Sequence, residues 1–199
     1  MAIGDIIHDF FAPYGDGGIL LFVAVVFFID AIVFPMLPEV FFTIGVMAHR
    51  PASLSFGIEV LGAAVIGELI GVLILYFIVK KIKIPGRLKK FVDKYIKFLV
   101  VSDERILLVN RVAPVIPFTG AFLALVDGWK FSKAMIYIIV GCVLKYGVIM
   151  LLLIFLENNF GEAASKYSIY LIIAVLAISL TASYLRKKKI EKEMSYENS

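Results

Sequence analysis

Arg111 stands in an otherwise apolar stretch, three residues before Pro114 and six before Pro117. A guanidinium is charged at any physiological pH and presents a planar fork of donors suited to phosphate or carboxylate. Other ionisable side chains are embedded in apolar runs as well: Asp30, Glu39 and Glu68 before it, Lys145 after it. Such groups at membrane depth are costly and mark functional sites by default. Arg111 and Lys145 are therefore candidates to hold an anionic headgroup. Glu39 and Glu68, with Asp30, are candidate proton carriers, because burial disfavours the charged form of a carboxyl group. The competing reading is structural: Arg111 pairs with Glu39, Glu68 or Asp30 and holds the helices together, and Lys145 pairs with Asp30.

Two backbone interruptions must position these groups. Pro35 and Pro38 form one Pro-x-x-Pro, and Pro114 and Pro117 form another. A proline within a helix removes a backbone donor and clashes with the carbonyl one turn back, so each apolar run breaks there. At membrane depth a break is tolerated only where protein buries it or where it lines a watery cavity. The half-helix after each break is expected to offer unpaired N–H groups and a positive dipole end to an anion.

Composition sets the solvent. With 61% hydrophobic and 18% charged residues and a mean hydropathy of +0.96, the chain lies outside the soluble range, and an all-α integral membrane protein is expected. A lone cysteine, Cys142, excludes an internal disulfide and a multi-thiolate metal centre. No metal-ligand spacing, glycine-rich phosphate loop or nucleophile motif occurs, so neither an enzyme nor a metal or cofactor is expected. The positive charge is concentrated in Lys80, Lys81, Lys83, Arg87, Lys89, Lys90, Lys94 and Lys97, opposed by Asp93, and in Arg186, Lys187, Lys188 and Lys189. Basic segments beside apolar runs mark the cytoplasmic side and its anionic lipids rather than a nucleic-acid surface. Residues 1–18 lack a basic start and carry Asp5, Asp9 and Asp16, so no cleavable leader is expected.

Along the chain, spacing predicts an interfacial helix over residues 3–11, ended by Pro13, Gly15, Gly17 and Gly18, then apolar legs 19–34 and 40–48 around the first break. The first leg is marginally short for a crossing. The two legs read as a re-entrant hairpin, with a fully crossing first leg as the competitor. His49 is expected to be solvated at the interface. Residues 54–79 are long enough to span. Glu59 and Glu68, nine residues apart, fall on opposite helix faces, and Ala63, Gly67 and Gly71 form a small-residue stripe beside Glu68 that admits a close neighbour. Residues 80–101 read as a basic amphipathic segment, and Ser102 as a helix cap. Legs 106–109 and 118–126 flank the second break, residues 134–156 form another span, and 167–185 a last one before the basic tail.

A shift of 79 places Pro35 on Pro114, Pro38 on Pro117, Ser53 on Ser132 and Gly62 on Gly141. The order interfacial helix, broken hairpin and spanning helix thus occurs twice. A hairpin returns to its own side while the following span crosses once, so the second copy enters from the opposite face, as in inverted-repeat transporters. The expected organisation is a single domain over residues 1–186, with repeat one 1–80, repeat two 81–157 and an extra helix 165–185, then a cytoplasmic tail 187–199 that is basic and then polar. Parity puts Lys130, Lys133 and the tail on the cytoplasmic side and residues 157–166 outside.

Residues 28–155 resemble the DedA (SNARE-associated, VTT-domain) family. The acidic residue and Pro-x-x-Pro-Glu of residues 30–39 look like its first re-entrant motif; Gly62, Gly67-Glu68 and Tyr76 resemble its glycine, glycine-acid and tyrosine pattern; Arg111-Val-Ala-Pro114 resembles its Arg-Phe-x-Pro; and Phe131 and Gly141 match its following helix. The chain departs where Pro117 replaces a second arginine, Ala124-Leu125 an Ala-Gly pair, and Lys145 a tryptophan. The resemblance implies two facing re-entrant hairpins in the cell membrane and movement of polyprenyl phosphates or phospholipids between leaflets, in bacterial members often tied to proton motive force. Lys145 would replace the missing arginine's charge. The leading expectation is a multi-pass flippase or scramblase whose partners are anionic membrane lipids, with a homo-oligomer left open. The alternatives are a proton-coupled exporter of small cations or drugs and a non-transporting structural or partner-binding membrane protein.

Overall fold

The computed structural model describes residues 10, 12–33, 37–49, 53–82, 103–112, 116 and 118–197. Among these the fold is all-helical: α1 Gly15–Ile32, α2 Pro38–Ala48, α3 Leu54–Lys81, α4 Ile106–Val112, α5 Thr119–Leu125, α6 Phe131–Phe160 and α7 Ala164–Glu197. Ala12–Ile32, Leu54–Lys81, Phe131–Phe160 and Lys166–Leu185 are long and apolar enough to cross a membrane. The interfacial helix expected over 3–11 (Phe10 apart), the basic segment from residue 83 onward, Ser102, Pro35, Pro114 and Pro117 lie outside the described residues.

One boundary differs from the sequence reading. The helix expected from residue 19 already begins at Gly15, so Gly15, Gly17 and Gly18 lie in the first turn of α1. Glycine costs a helix about 1 kcal/mol relative to alanine, and the packing of Ile19, Val23 and Phe27 in the core outweighs it. With the 3-10 turn Ala12–Tyr14 that precedes it, the first leg becomes a potential span of 21 residues, Ala12–Ile32. At the other end, α7 continues as helix beyond its apolar part, so the backbone of the basic tail through Glu197 is helical.

Two helical hairpins have ends that meet. At the first, the His49 ring Nδ1, at the end of α2, lies 3.1 Å from Asp16 Oδ1 in the opening turn of α1. At the second, the backbone N–H of Lys130 donates to the Glu104 carboxylate at 2.5 Å, joining the residues that precede α4 and follow α5. Each hairpin therefore returns to the end from which it set out. The first closes beside the start of α3, where His49 stacks on Phe56 with centroids 4.5 Å apart. The second closes beside the other end of α3, where Tyr76 meets Phe131 at 4.5 Å. Phe56 and Tyr76 are separated by about 20 residues and so by roughly 30 Å of helix, the thickness of a bilayer's hydrocarbon core. His49 is thus half-buried and engaged rather than freely solvated.

Both breaks resume with the same backbone feature. Leu37, before α2, has φ 52° and ψ 60°, and Phe118, before α5, has φ 50° and ψ 61°. This left-handed conformation is uncommon for residues other than glycine, and here it turns the chain into the returning leg. Pro38 follows at the first turn of α2, where its missing N–H costs no helix hydrogen bond.

Close approach of α1 and α3 depends on glycine. A Cβ on Gly67 would run into the Ala24 carbonyl oxygen, and one on Gly71 would lie 2.7 Å from Ala31 Cβ and 2.8 Å from the Phe28 oxygen. Between lipid-embedded helices, such contact is a main source of association. Gly62, on the same helix, faces open space. We expect Gly67→Ala to destabilise the protein by about 1–3 kcal/mol, as overpacking does. Gly62→Ala should leave stability unchanged or raise it by up to about 1 kcal/mol through helix propensity. Thermal unfolding in detergent distinguishes the two.

The packed interior has two apolar clusters. One joins Val23 and Phe27 of α1, Phe42 and Val46 of α2, Val60 and Ala64 of α3, and Tyr146 and Met150 of α6. The other joins Leu107 of α4, Phe122 of α5, Val72 of α3 and Ile138 of α6. Along α3, Glu68 falls between Ala64 of the first cluster and Val72 of the second.

Candidate intramembrane charge site

The second break is held by a residue that the sequence reading passed over. Asn110, buried at the end of α4, donates from Nδ2 to the Ile116 carbonyl oxygen at 3.2 Å. The Ile116 N–H in turn donates to Asn110 Oδ1 at 2.8 Å. One amide side chain thereby satisfies both backbone groups of Ile116, which an interrupted helix in an apolar medium would otherwise leave unpaired. The available signal was an asparagine within an apolar run, adjacent to the arginine. At the first break, the Thr43 hydroxyl donates to the Glu39 carbonyl oxygen at 2.9 Å, one turn into α2.

This scaffold brings four of the five charged candidates into two ion pairs. Arg111, in the last turn of α4, places Nη2 2.5 Å from Glu68 Oε1 of α3; their side chains are 13% and 5% exposed. Lys145 of α6 donates through Nζ to Glu39 Oε1 at the start of α2. Glu39 also occupies the first turn of α2, where a negative charge complements the helix dipole. Each pair joins a hairpin to a long helix from the other half of the chain. Asp30 sits half-buried in the last turn of α1 before the first break and belongs to neither pair. Glu59 is exposed, as its spacing from Glu68 requires.

The pairs are neighbours. Cys142 lies within electrostatic range of Glu68, Arg111 and Lys145, and Tyr146 within range of Glu39, Glu68 and Arg111. A single turn of α6 therefore faces all four charges. Lys145 Nζ also lies 5.4 Å from the Tyr146 ring centroid, within reach of a cation–π attraction, and Tyr146 packs against Phe27 and Phe42 with centroids 4.9 Å away in each case. On the Arg111 side, Gly141 makes room for the arginine stem: a Cβ there would lie 2.7 Å from Arg111 Cγ.

Each of the two pairs balances one cation against one carboxylate. Arg111 Nε is buried and has no hydrogen-bond partner among the described residues. A buried polar atom without a partner costs about 1–3 kcal/mol, more in a charged group. The half-helix dipole expected to assist Arg111 is slight, because α5 has only seven residues and the effect scales with aligned peptide units. Among the described residues at the second break, the guanidinium is the charged donor group. No group of three or more histidine, cysteine or acidic residues able to hold a metal occurs among the described residues.

Four apolar helices of spanning length around this buried charge layer define an all-α membrane protein of the multi-pass type. Comparison with family models, with curated proteins and with solved structures finds no match to this chain.

Proposed function

We propose that the protein is a lipid transporter of the DedA type, a flippase or scramblase that carries anionic headgroups between leaflets through the layer of buried charge. The observation that carries this reading is Arg111, a buried guanidinium at a helix break with one donor unfilled. Intramembrane charges of this kind mark substrate pathways, and a binding site near the midplane between two broken hairpins is the arrangement of many secondary transporters. The placement of the hairpin ends supports an inverted repeat of two re-entrant hairpins: they close at opposite ends of α3 and restart from the same left-handed geometry. Glu39 and Glu68, each facing a cation, are the candidate proton carriers. Lys145 stands where the family's pattern has tryptophan and supplies a second cation beside the path.

The second reading is a non-transporting membrane protein in which the pairs only tie hairpins to long helices. It is favoured by the fact that Arg111 and Lys145 each face a carboxylate. Purified protein in liposomes carrying a fluorescent polyprenyl phosphate or phospholipid decides between them. Exchange between leaflets should exceed that of empty liposomes and fall to background in Arg111→Gln. Absence of exchange with every anionic lipid tried, from folded protein, would count against transport.

A further inference from the structure

We infer that Glu68 is a built-in competitor for the anion site: its carboxylate occupies part of the donor edge of Arg111 that a phosphate headgroup must take, so the resting site is self-inhibited. The inference rests on the transport reading above and concerns how that site is regulated.

The geometry of the guanidinium carries it. Two edges of the planar group can receive a carboxylate or phosphate through two parallel hydrogen bonds, Nε with Nη2 and Nη1 with Nη2, and Nη2 belongs to both. Glu68 Oε1 lies 2.5 Å from Nη2, while the adjacent Nε has no partner among the described residues. The resident carboxylate thus stands against the nitrogen that both two-donor edges share. A phosphate, with at least two unesterified oxygens on phosphorus, can engage two donors together. The guanidinium cannot easily turn another face to the ligand, since its stem is confined where Cγ lies against Gly141 of α6. An incoming phosphate must therefore displace Glu68.

A tethered competitor lowers apparent affinity by the fraction of time that the site is free of it, the apparent Kd being the intrinsic Kd divided by that fraction. Neutralising the competitor removes this burden and also leaves Arg111 without its counter-charge, so an added anion gains on both counts. A purely structural pair makes the opposite prediction, because loosening α3 from α4 would degrade the site.

The test uses the full chain in nanodiscs of phosphatidylcholine, with two probes that share one chemistry, decyl phosphate and inorganic phosphate. Glu68→Gln should bind decyl phosphate at least about tenfold more tightly than the unaltered protein, while its leaflet exchange slows, since a site must also release what it binds. Arg111→Gln should lose binding. Tighter binding of decyl phosphate alone identifies a lipid headgroup as the ligand, and tighter binding of both probes a general phosphate site; either outcome supports competition by Glu68. If Glu68→Gln does not fold, Glu68→Asp keeps the charge on a shorter stem and should also bind more tightly than the unaltered protein. Equal or weaker binding by a folded Glu68 variant, with the unaltered protein binding normally, overturns the inference and leaves the transport reading intact. No phosphate binding by any folded form overturns both.

Discussion

Arg111→Gln should lower the stability of the protein by about 3–5 kcal/mol, the cost of leaving a buried charge without its partner, and should abolish lipid exchange. The stranded group is Glu68, whose side chain is 5% exposed and has its counter-charge 2.5 Å away. The double variant Arg111→Gln/Glu68→Gln should recover most of the lost stability, because two neutral amides in contact do not carry the desolvation cost of a lone ion. It should not recover exchange, since the donor fork for the headgroup is gone. Unfolding in detergent gives the first quantity and leaflet exchange in liposomes the second. Recovery of both together would reduce Arg111 to a structural tie. A single variant as stable as the unaltered protein would mean that the pair contributes nothing in the membrane.

The second large effect concerns the neighbouring pair. Lys145→Met should destabilise by a similar few kcal/mol, because it leaves Glu39 charged in an apolar environment between Lys145 and the first turn of α2. It should also reduce exchange, because it removes the second cation from the layer. Reversing both members, Lys145→Glu with Glu39→Lys, restores a pair of the same charges and should return stability toward the starting value. Exchange should stay low, since an anion at position 145 repels the headgroup that Arg111 attracts and a lysine at position 39 places a cation where α2 begins. Unchanged transport and lipid binding in Lys145→Met would dismiss the idea that this lysine replaces a second arginine. Return of full exchange on charge reversal would assign it to architecture alone.

These effects depend on partners that the sequence left open. Arg111 had three carboxylates within its possible reach, Asp30, Glu39 and Glu68, and Lys145 was matched with Asp30. Spacing narrows such a choice only within one helix, as when nine residues place Glu59 and Glu68 on opposite faces. Between helices it depends on how far the chain is offset and rotated when packed. That offset is set by contacts such as Gly67 against Ala24 and Gly141 against Arg111, which involve one residue and the absence of another's side chain. The role of Asn110 is hidden for the same reason: it lies in reaching the backbone of Ile116, six residues on, a contact that the residue types do not mark.

Much else was legible. Hydropathy and length marked the apolar runs that became α3, α6 and the spanning part of α7, because in lipid a backbone must satisfy its own hydrogen bonds and a long apolar segment has only the helix available. The two Pro-x-x-Pro sites divided the remaining runs into short legs, as the loss of a donor requires, and Pro38 indeed opens α2. Helix α1 starts at Gly15, four residues before the apolar leg that hydropathy marks, because packing further along the helix outweighs the low helix propensity of its glycines. By itself the sequence determined a membrane-embedded helical chain with two interruptions and ionisable groups beside them, all consequences of local backbone chemistry and solvent. Only the tertiary structure decided that the hairpins close at opposite ends of α3, that Arg111 meets Glu68 while Lys145 meets Glu39, and that Arg111 Nε is left over. Those facts arise from the packing of helices distant in sequence, where a shift of one turn, about 5.4 Å, would exchange one partner for another.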